Sequence, residues 1–221
     1  EELDQYDLAI AVYKEVPASD PAFHAAELGR AAALRRADKP DAAIEVLEQL
    51  ARSYPDLPVV FSTLGDVLRQ QDQFAESIAA YDRALELTPE GARAEWFLLY
   101  ARAISHERLG QWKEAEADFR HALALNPGQP QVLNYLGYSM VEQQVNLDEA
   151  LSMIEQAVAA SPDSGYIIDS LGWVLYRLGR YEEAVVHMER AAQLVPVDAV
   201  VNDHLGDTLW AVGRKREARF Q

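Results

Sequence analysis

Six prolines recur along the chain at an almost constant spacing, and this periodicity limits the fold more than any other feature of the sequence. They are Pro21, Pro55, Pro89, Pro127, Pro162 and Pro196, and the successive steps are 34, 34, 38, 35 and 34 residues. A period of this length is typical of chains in which similar supersecondary units stack on one another to bury a continuous core. The sequence therefore predicts a repeat architecture.

Each proline ends a stretch with helical periodicity. A small residue stands 12 positions before every proline: Ala9, Ala43, Ser77, Ala115, Ala150 and Ala184. A bulky apolar residue follows four positions later: Tyr13, Leu47, Tyr81, Phe119, Ile154 and Met188. An apolar residue follows again after three more: Val16, Leu50, Ala84, Ala122, Ala157 and Ala191. These positions lie on one side of an α-helix, and the proline, which has no N–H to donate, stops it.

A second helix is predicted upstream of this one in each unit. Its marker is a leucine followed by glycine: Leu64–Gly65, Leu136–Gly137, Leu171–Gly172 and Leu205–Gly206. The turn between the two helices carries Gly110, Gly179 and Gly213, and glycine at such a place takes a positive φ at little cost. Each unit therefore reads as a helix, a turn and a second helix, which we call helix A and helix B.

These motifs resemble the tetratricopeptide repeat (TPR) family over essentially the whole chain, most strongly in "FSTLGDVLRQQDQFAESIAAYDRALELTP". The resemblance implies an all-α fold, in which antiparallel helix pairs stack into a right-handed α-α superhelix, the TPR solenoid. It also implies that the small residue of helix A, such as Gly172, lies where helix B of the same repeat crosses closely. Ala184 and Ala191 would provide the matching approach from helix B.

The whole chain, 1–221, is predicted to form a single array. Its parts are a half repeat with helix B only (1–21), five full repeats (22–57, 58–91, 94–129, 130–164 and 165–198) and a truncated repeat (199–221). Arg102 and Ala103 replace the usual leucine and glycine, which weakens the prediction of that helix A. Neither end holds a complete capping helix, and the first residue is Glu1, so we expect a fragment or processed chain from a longer array.

Composition excludes several classes of function. The net charge of −16 disfavours nucleic acid as a partner and favours either a solvated acidic surface or basic partners. No apolar run approaches the roughly 18–20 residues of a membrane span, so no direct membrane insertion is expected. The chain has no cysteine, its 5 histidines lack metal-ligand spacing, and no nucleophile or phosphate-binding motif occurs. We expect no enzyme, no metal and no cofactor.

Candidate binding residues follow from the resemblance, because helix A lines the concave face of TPR arrays. Carried over repeat by repeat, the inward places give Tyr100, Asn134, Tyr138, Asp169, Trp173, Tyr176, Arg177, Asp203, Asp207 and Trp210. Tyrosine and tryptophan commonly anchor partners, and the aspartates would select basic groups. Asn134 would hold a peptide backbone with its amide. Trp173 has an alternative role, which is to fill the groove between adjacent helices A.

Three functional hypotheses remain open from the sequence. The first is a protein-interaction scaffold that binds a peptide or partner helix, basic or aromatic-rich, in the concave groove. The second is a structural spacer that forms homo-oligomers by stacking its open ends. The third is the targeting portion of a larger enzyme. The run from Leu133 to Gly179 is similar to runs in bacterial TPR proteins, which suggests the periplasm or cytoplasm, with a membrane-anchored full-length form as an alternative.

Overall fold

The computed structural model describes residues 2–221, and within them the fold is entirely helical. The thirteen helices are α1 (Glu2–Lys14), α2 (Phe23–Arg36), α3 (Pro40–Ser53), α4 (Pro58–Gln70), α5 (Phe74–Leu87), α6 (Glu95–Arg108), α7 (Trp112–Leu125), α8 (Pro130–Glu142), α9 (Leu147–Ala160), α10 (Gly165–Arg177), α11 (Tyr181–Leu194), α12 (Ala199–Ala211) and α13 (Lys215–Ala218). The predicted all-α class of stacked helix pairs is confirmed. Glu1, which belongs to the predicted half repeat, lies outside the described residues.

Each predicted full repeat contains one helix A and one helix B. Helices A are α2, α4, α6, α8 and α10, helices B are α3, α5, α7, α9 and α11, and the members of each pair contact one another. All five of these helices B have 14 residues, which corresponds to about 21 Å of α-helix. The last repeat pairs α12 with the four-residue α13.

The helices group into two compact units, residues 1–125 (unit 1) and 126–221 (unit 2), and each has its own core. The assignment of the whole chain to one array therefore stays a prediction. The core of both units is the stripe predicted for helix B. Tyr81 and Phe119 in unit 1, and Ile154 and Met188 in unit 2, are fully buried. In the half repeat the same stripe, Ala9 and Tyr13 on α1 and Val16 just after its end, is only half-buried.

Unit 1 also contains a charged network where the sequence departs from the repeat. The guanidinium of Arg102 donates from Nε and Nη2 to the two carboxylate oxygens of Asp118, both at 2.7 Å, and from Nη1 to Asp82 at 2.6 Å. Although partial burial opposes the charge, these hydrogen bonds raise the pKa of Arg102. Arg102 thereby joins α5, α6 and α7, and α6 is a regular 14-residue helix despite its weak repeat signature.

The glycine of helix A provides space for the bulky side chain of helix B. A Cβ atom on Gly172 would lie 2.9 Å from Cγ and Sδ of Met188, and a Cβ on Gly65 would lie 2.8 Å from the Tyr81 ring. The close approach expected at Gly172 is therefore present, but the Met188 side chain fills it, while Ala184 and Ala191 are buried beside it. Gly206 differs, because the nearest atom to its added Cβ is Cβ of Gln221, 3.6 Å away.

This difference predicts opposite effects of the same substitution at two helix-A glycines. In the chain of 221 residues, Gly206→Ala is expected to raise the free energy of unfolding by about 0.5–1 kcal/mol, because alanine is the better helix former. Gly137→Ala is expected to lower it by about 1–3 kcal/mol, because its Cβ would lie 2.7 Å from Cγ1 of Ile154 and 3.1 Å from the Ala150 carbonyl oxygen. Urea denaturation of the two variants measures both values. Equal effects at the two positions would contradict the packing account.

Candidate partner-binding surface

Nine of the ten predicted binding residues lie on the three helices A of unit 2. We call this set the helix-A face of unit 2: Asn134 and Tyr138 on α8, Asp169, Trp173, Tyr176 and Arg177 on α10, and Asp203, Asp207 and Trp210 on α12. Spacings of three and four residues place the members on one side of each helix. The middle helix, α10, contacts both α8 and α12. Tyr100 lies in unit 1, on α6, with its ring 6.1 Å from the ring of Phe119.

Trp173 is held by all three helices of this face. Its indole Nε1 donates to Glu142 of α8 at 2.7 Å. Its ring stacks on Tyr176 of the same helix, with centroids 5.0 Å apart, and on His204 of α12, with centroids 4.0 Å apart. The Arg177 guanidinium lies 5.7 Å from its centroid and 3.5 Å from the Glu142 carboxylate. The indole is therefore engaged within the chain, as the groove-filling alternative describes.

Asp169 lies below this surface. Only 5% of the residue is exposed, and its Oδ2 is 2.9 Å from Nδ1 of His204, which is itself 7% exposed. Its other oxygen, Oδ1, is buried without a hydrogen-bond partner in the described part of the chain. The expectation that Asp169 selects basic groups from a partner must therefore be corrected, because its carboxylate is covered by α12 and positions the His204 ring.

Asn134 and Tyr138 extend the face onto α8. Both residues are half-buried. The Asn134 side-chain oxygen is shielded from solvent and lacks a hydrogen-bond partner among the described residues. In this conformation the Asn134 oxygen cannot reach the backbone of a bound peptide. The role predicted for the Asn134 amide therefore requires its side chain to rotate. That role stays a prediction.

The carboxylates and the indole of α12 are exposed, in contrast to Asp169. Asp203, Asp207 and Trp210 form one exposed stripe, and 51% of Trp210 is accessible. Burial, together with the charge of Asp207 and the neighbouring Tyr181, raises the pKa of Tyr176. The effect of the Asp207 charge on the pKa of Tyr176 indicates that the exposed residues of α12 lie near the aromatic side chains of α10.

Two further residues organise this face. Glu142, at the end of α8, occupies one of the inward places that the resemblance implies. His204 was missed as a site residue: it is 35 positions after Asp169 and therefore one position after the equivalent place in the next repeat. The position directly after an inward place can be used to predict such residues from the sequence, because neighbouring helices A contact each other there. Among the side chains of residues 5–221 no group of three or more metal-ligating residues occurs, and no helix described in the structure is long and apolar enough to cross a membrane.

Comparison with known proteins identifies the family. Sequence models of the tetratricopeptide repeat match residues 56–127, residues 166–196, and residues 1–58 together with 100–165; the last of these covers more than half of the chain. The chain belongs to the TPR family. A TPR repeat-containing protein of Pseudomonas aeruginosa is 32% identical over 185 residues, which are 82% of this chain and 30% of that protein. The chain thus spans about a third of the length of this relative, and the bacterial origin suggested by the sequence agrees with it.

Solved structures share the fold at low sequence identity. A tetratricopeptide repeat protein from Parabacteroides merdae has a TM-score of 0.71 at 19% identity, with 89% of this chain and 76% of that chain covered. YrrB, described as a TPR protein with an unusual peptide-binding site, has a TM-score of 0.61 at 18% identity, with 97% and 99% covered. These likenesses establish the TPR fold of the chain.

Proposed function

We propose that the protein is a non-catalytic interaction scaffold and that the helix-A face of unit 2 binds a peptide or helix of a partner protein. The observation that carries this proposal is the exposed stripe of α12. Trp210 is half exposed, and it stands beside Asp203 and Asp207, which make no hydrogen bond or ion pair in the described structure. Tryptophan and tyrosine are enriched at protein interfaces and among the residues that dominate their binding energy.

The residues of this face and two of their neighbours, His204 and Glu142, form a supporting layer and a contact layer. His204 is hydrogen-bonded to Asp169, Trp173 donates to Glu142, and the rings of Trp173 and His204 stack, so that these contacts across α8, α10 and α12 hold the surface in one arrangement. Tyr176 and the stripe of α12 provide the contact area. A surface whose side chains are already ordered loses less conformational entropy when a partner binds. The peptide-binding site of YrrB supports this use of the fold.

The proposal predicts that loss of two aromatic side chains weakens binding of a partner. We expect Tyr176→Ala combined with Trp210→Ala to weaken affinity at least about tenfold, because buried aromatic anchors dominate the free energy of most interfaces. The partner is first captured from a lysate on the immobilised chain, identified by mass spectrometry and purified, and its affinity is then measured by calorimetry. Helical content and thermal midpoint are measured in parallel.

The matched control is Val186→Ala, which truncates an apolar side chain of α11 that is 62% exposed and lies outside the helix-A face. This variant should bind the purified partner as the parent chain does. If the double aromatic variant keeps its fold and binds with unchanged affinity, the helix-A face of unit 2 is not the binding surface.

Self-assembly is a second candidate, and exposed apolar residues on α1 favour it. Leu8 and Val12 are 67% and 60% exposed on one side of this helix. A second copy that covered them would remove apolar area from water. Sedimentation velocity over a hundredfold concentration range distinguishes this candidate: growth in size that Leu8→Glu abolishes supports it, and a constant monomer contradicts it.

A further inference from the structure

Two arginines occupy the same place in different repeats of unit 1. Arg30 stands 17 positions before Leu47, the bulky buried residue of its helix B, and Arg102 stands 17 positions before Phe119. Each arginine lies on a helix A between two helices B, because α2 contacts α1 and α3 just as α6 contacts α5 and α7. Arg102 therefore shows which groups bind an arginine in this place.

The two aspartates that bind the arginine of α6 have no counterparts around Arg30. One of them, Asp82, directly follows the bulky apolar residue of the preceding helix B, and the same place before Arg30 holds Lys14. The other, Asp118, directly precedes the bulky residue of the following helix B, and the same place after Arg30 holds Val46. A cation and an apolar side chain thus replace the two acceptors.

The guanidinium of Arg30 is largely buried but only partly paired. Its side chain is 16% exposed, and Nη2 lies 2.8 Å from a carboxylate oxygen of Glu27 on the same helix. Among the described residues Nε is shielded from solvent without a hydrogen-bond partner, and Nη1 makes no hydrogen bond or ion pair. Because buried donors in folded proteins are nearly always paired, this side chain has unused capacity for an acceptor.

Arg30 lines a cavity formed by α1, α2 and α3. The cavity has a volume of about 310 Å³, and its lining includes the cations Lys14 and Arg30, the apolar Leu34 and Val46, and the polar Glu45 and Gln49. Lys14 and Val46, which stand in the places of the two aspartates, are therefore both in its wall. The same set of three helices, a helix A between two helices B, encloses Arg102, so the cavity does not arise from a helix that the sequence lacks.

We propose that this cavity binds a carboxylate group supplied from outside the chain and held by the guanidinium of Arg30 and the ammonium of Lys14. A guanidinium donates two parallel hydrogen bonds to a carboxylate, as Arg102 does to Asp118 at 2.7 Å. Nη1 and Nε of Arg30 are the donors left for it, and the shielded Nε becomes accessible when the guanidinium rotates. This site belongs to unit 1 and goes beyond the function proposed for unit 2.

The charges around the cavity determine which carboxylate it suits. The chain has a net charge of −16, which repels a run of acidic residues. Glu45 is exposed, makes no ion pair within the described part of the chain, and adds a negative charge to the cavity wall. The site therefore suits a single carboxylate, either on a free organic acid or on a partner segment that is otherwise neutral or basic.

The Nε–H signal of Arg30 in a nitrogen–proton NMR spectrum reports on the cavity directly, and its loss in Arg30→Lys assigns it. The probes are the capped peptides Gly-Glu-Gly and Gly-Gln-Gly, together with acetate and inorganic phosphate. We expect the glutamate peptide to shift the signal saturably and the glutamine peptide to bind about tenfold more weakly, because it lacks the charge. Phosphate should bind more weakly than the glutamate peptide, since Glu27 and Glu45 repel its second negative charge.

The same titrations distinguish the two sources of the carboxylate. Tighter binding of the glutamate peptide than of acetate assigns the site to an acidic side chain of a partner protein. Binding of acetate that equals or exceeds that of the peptide assigns it to a free organic acid.

Three exposed substitutions test the wall of the cavity. Lys14→Met should weaken binding of the glutamate peptide several-fold, because it removes one of the two cations. Glu45→Gln should strengthen binding, because it removes the nearby negative charge. Lys113→Met, at an exposed lysine near the start of α7, is the matched control and should leave binding unchanged. Circular dichroism checks that each variant keeps its helical content.

Val46→Asp is the most direct test, because it places a carboxylate where Asp118 stands in the equivalent site. We expect the new aspartate to pair with Arg30, to move the Nε–H signal of the free chain, and to abolish binding of the glutamate peptide. Val46→Asn has the same shape without the charge and should leave that signal near its parent position. If Val46→Asp does not fold, the exposed substitution Lys14→Asp, which reproduces the place of Asp82, carries the same expectation.

Three outcomes would overturn the inference: equal binding of the glutamate and glutamine peptides, tighter binding of phosphate than of the glutamate peptide, or an equal loss in Lys14→Met and Lys113→Met. None of them bears on the function proposed for unit 2, which is tested by the Tyr176→Ala, Trp210→Ala chain. Failure of that test would in turn leave the carboxylate site in unit 1 standing.

Discussion

His204→Leu is expected to lower the free energy of unfolding of unit 2 by about 2–3 kcal/mol, because it removes the hydrogen-bond partner of a buried carboxylate. Asp169 is 5% exposed, and among the described residues its carboxylate has one hydrogen-bond partner, Nδ1 of His204, because Oδ1 has none. Leucine would leave this carboxylate buried with no donor at all. It would also remove the ring that stacks on Trp173.

Urea denaturation followed by circular dichroism measures this loss, and amide hydrogen exchange locates it on α10 and α12. The double variant Asp169→Asn, His204→Leu is the control. Because it removes the buried carboxylate together with its hydrogen-bond partner, it should recover about half of the lost stability, since a polar group left buried without a partner costs more than the loss of both partners. A single variant within about 1 kcal/mol of the parent chain, the size of an ordinary neutral hydrogen bond, would show that Asp169 does not depend on His204.

Arg102→Met is expected to lower the free energy of unfolding of unit 1 by about 2–4 kcal/mol, somewhat less than a fully buried pair. Arg102 donates two hydrogen bonds to Asp118 and one to Asp82, and the side chain of Asp118 is only 11% exposed. Methionine has a similar length but donates nothing, so Asp118 would keep its burial and lose both donors.

Two further variants isolate the cause at this site. Arg102→Lys should lie between the parent chain and Arg102→Met, because an ammonium cannot reproduce the forked contact with Asp118. The combination Arg102→Met, Asp118→Asn should be less destabilised than the sum of its single variants, which would show that the two residues are coupled. Strict additivity would mean that Arg102 acts through its packing alone.

The stripes of helix B and the contacts of Arg102 show which features could be predicted from the sequence and which could not. The stripes of helix B were predictable, because the positions i, i+4 and i+7 share a face in any α-helix. Tyr81, Phe119, Ile154 and Met188 are accordingly buried. Arg102 occupied a place where leucine was expected, so the repeat pattern indicated a weak helix. Its carboxylate partners lie on the preceding and following helices, 20 and 16 residues away, and no local pattern marks them.

The sequence by itself determined the repeating helix pairs and the side of each helix A that carries the candidate contacts, because helical periodicity is a property of neighbouring residues. Only the tertiary structure decided which of those residues are accessible. Asp169 occupies an inward place of helix A, yet it is buried against His204 of the following helix A. Its burial could not be predicted from helical periodicity, because it depends on a side chain 35 positions away that the following helix A places over it.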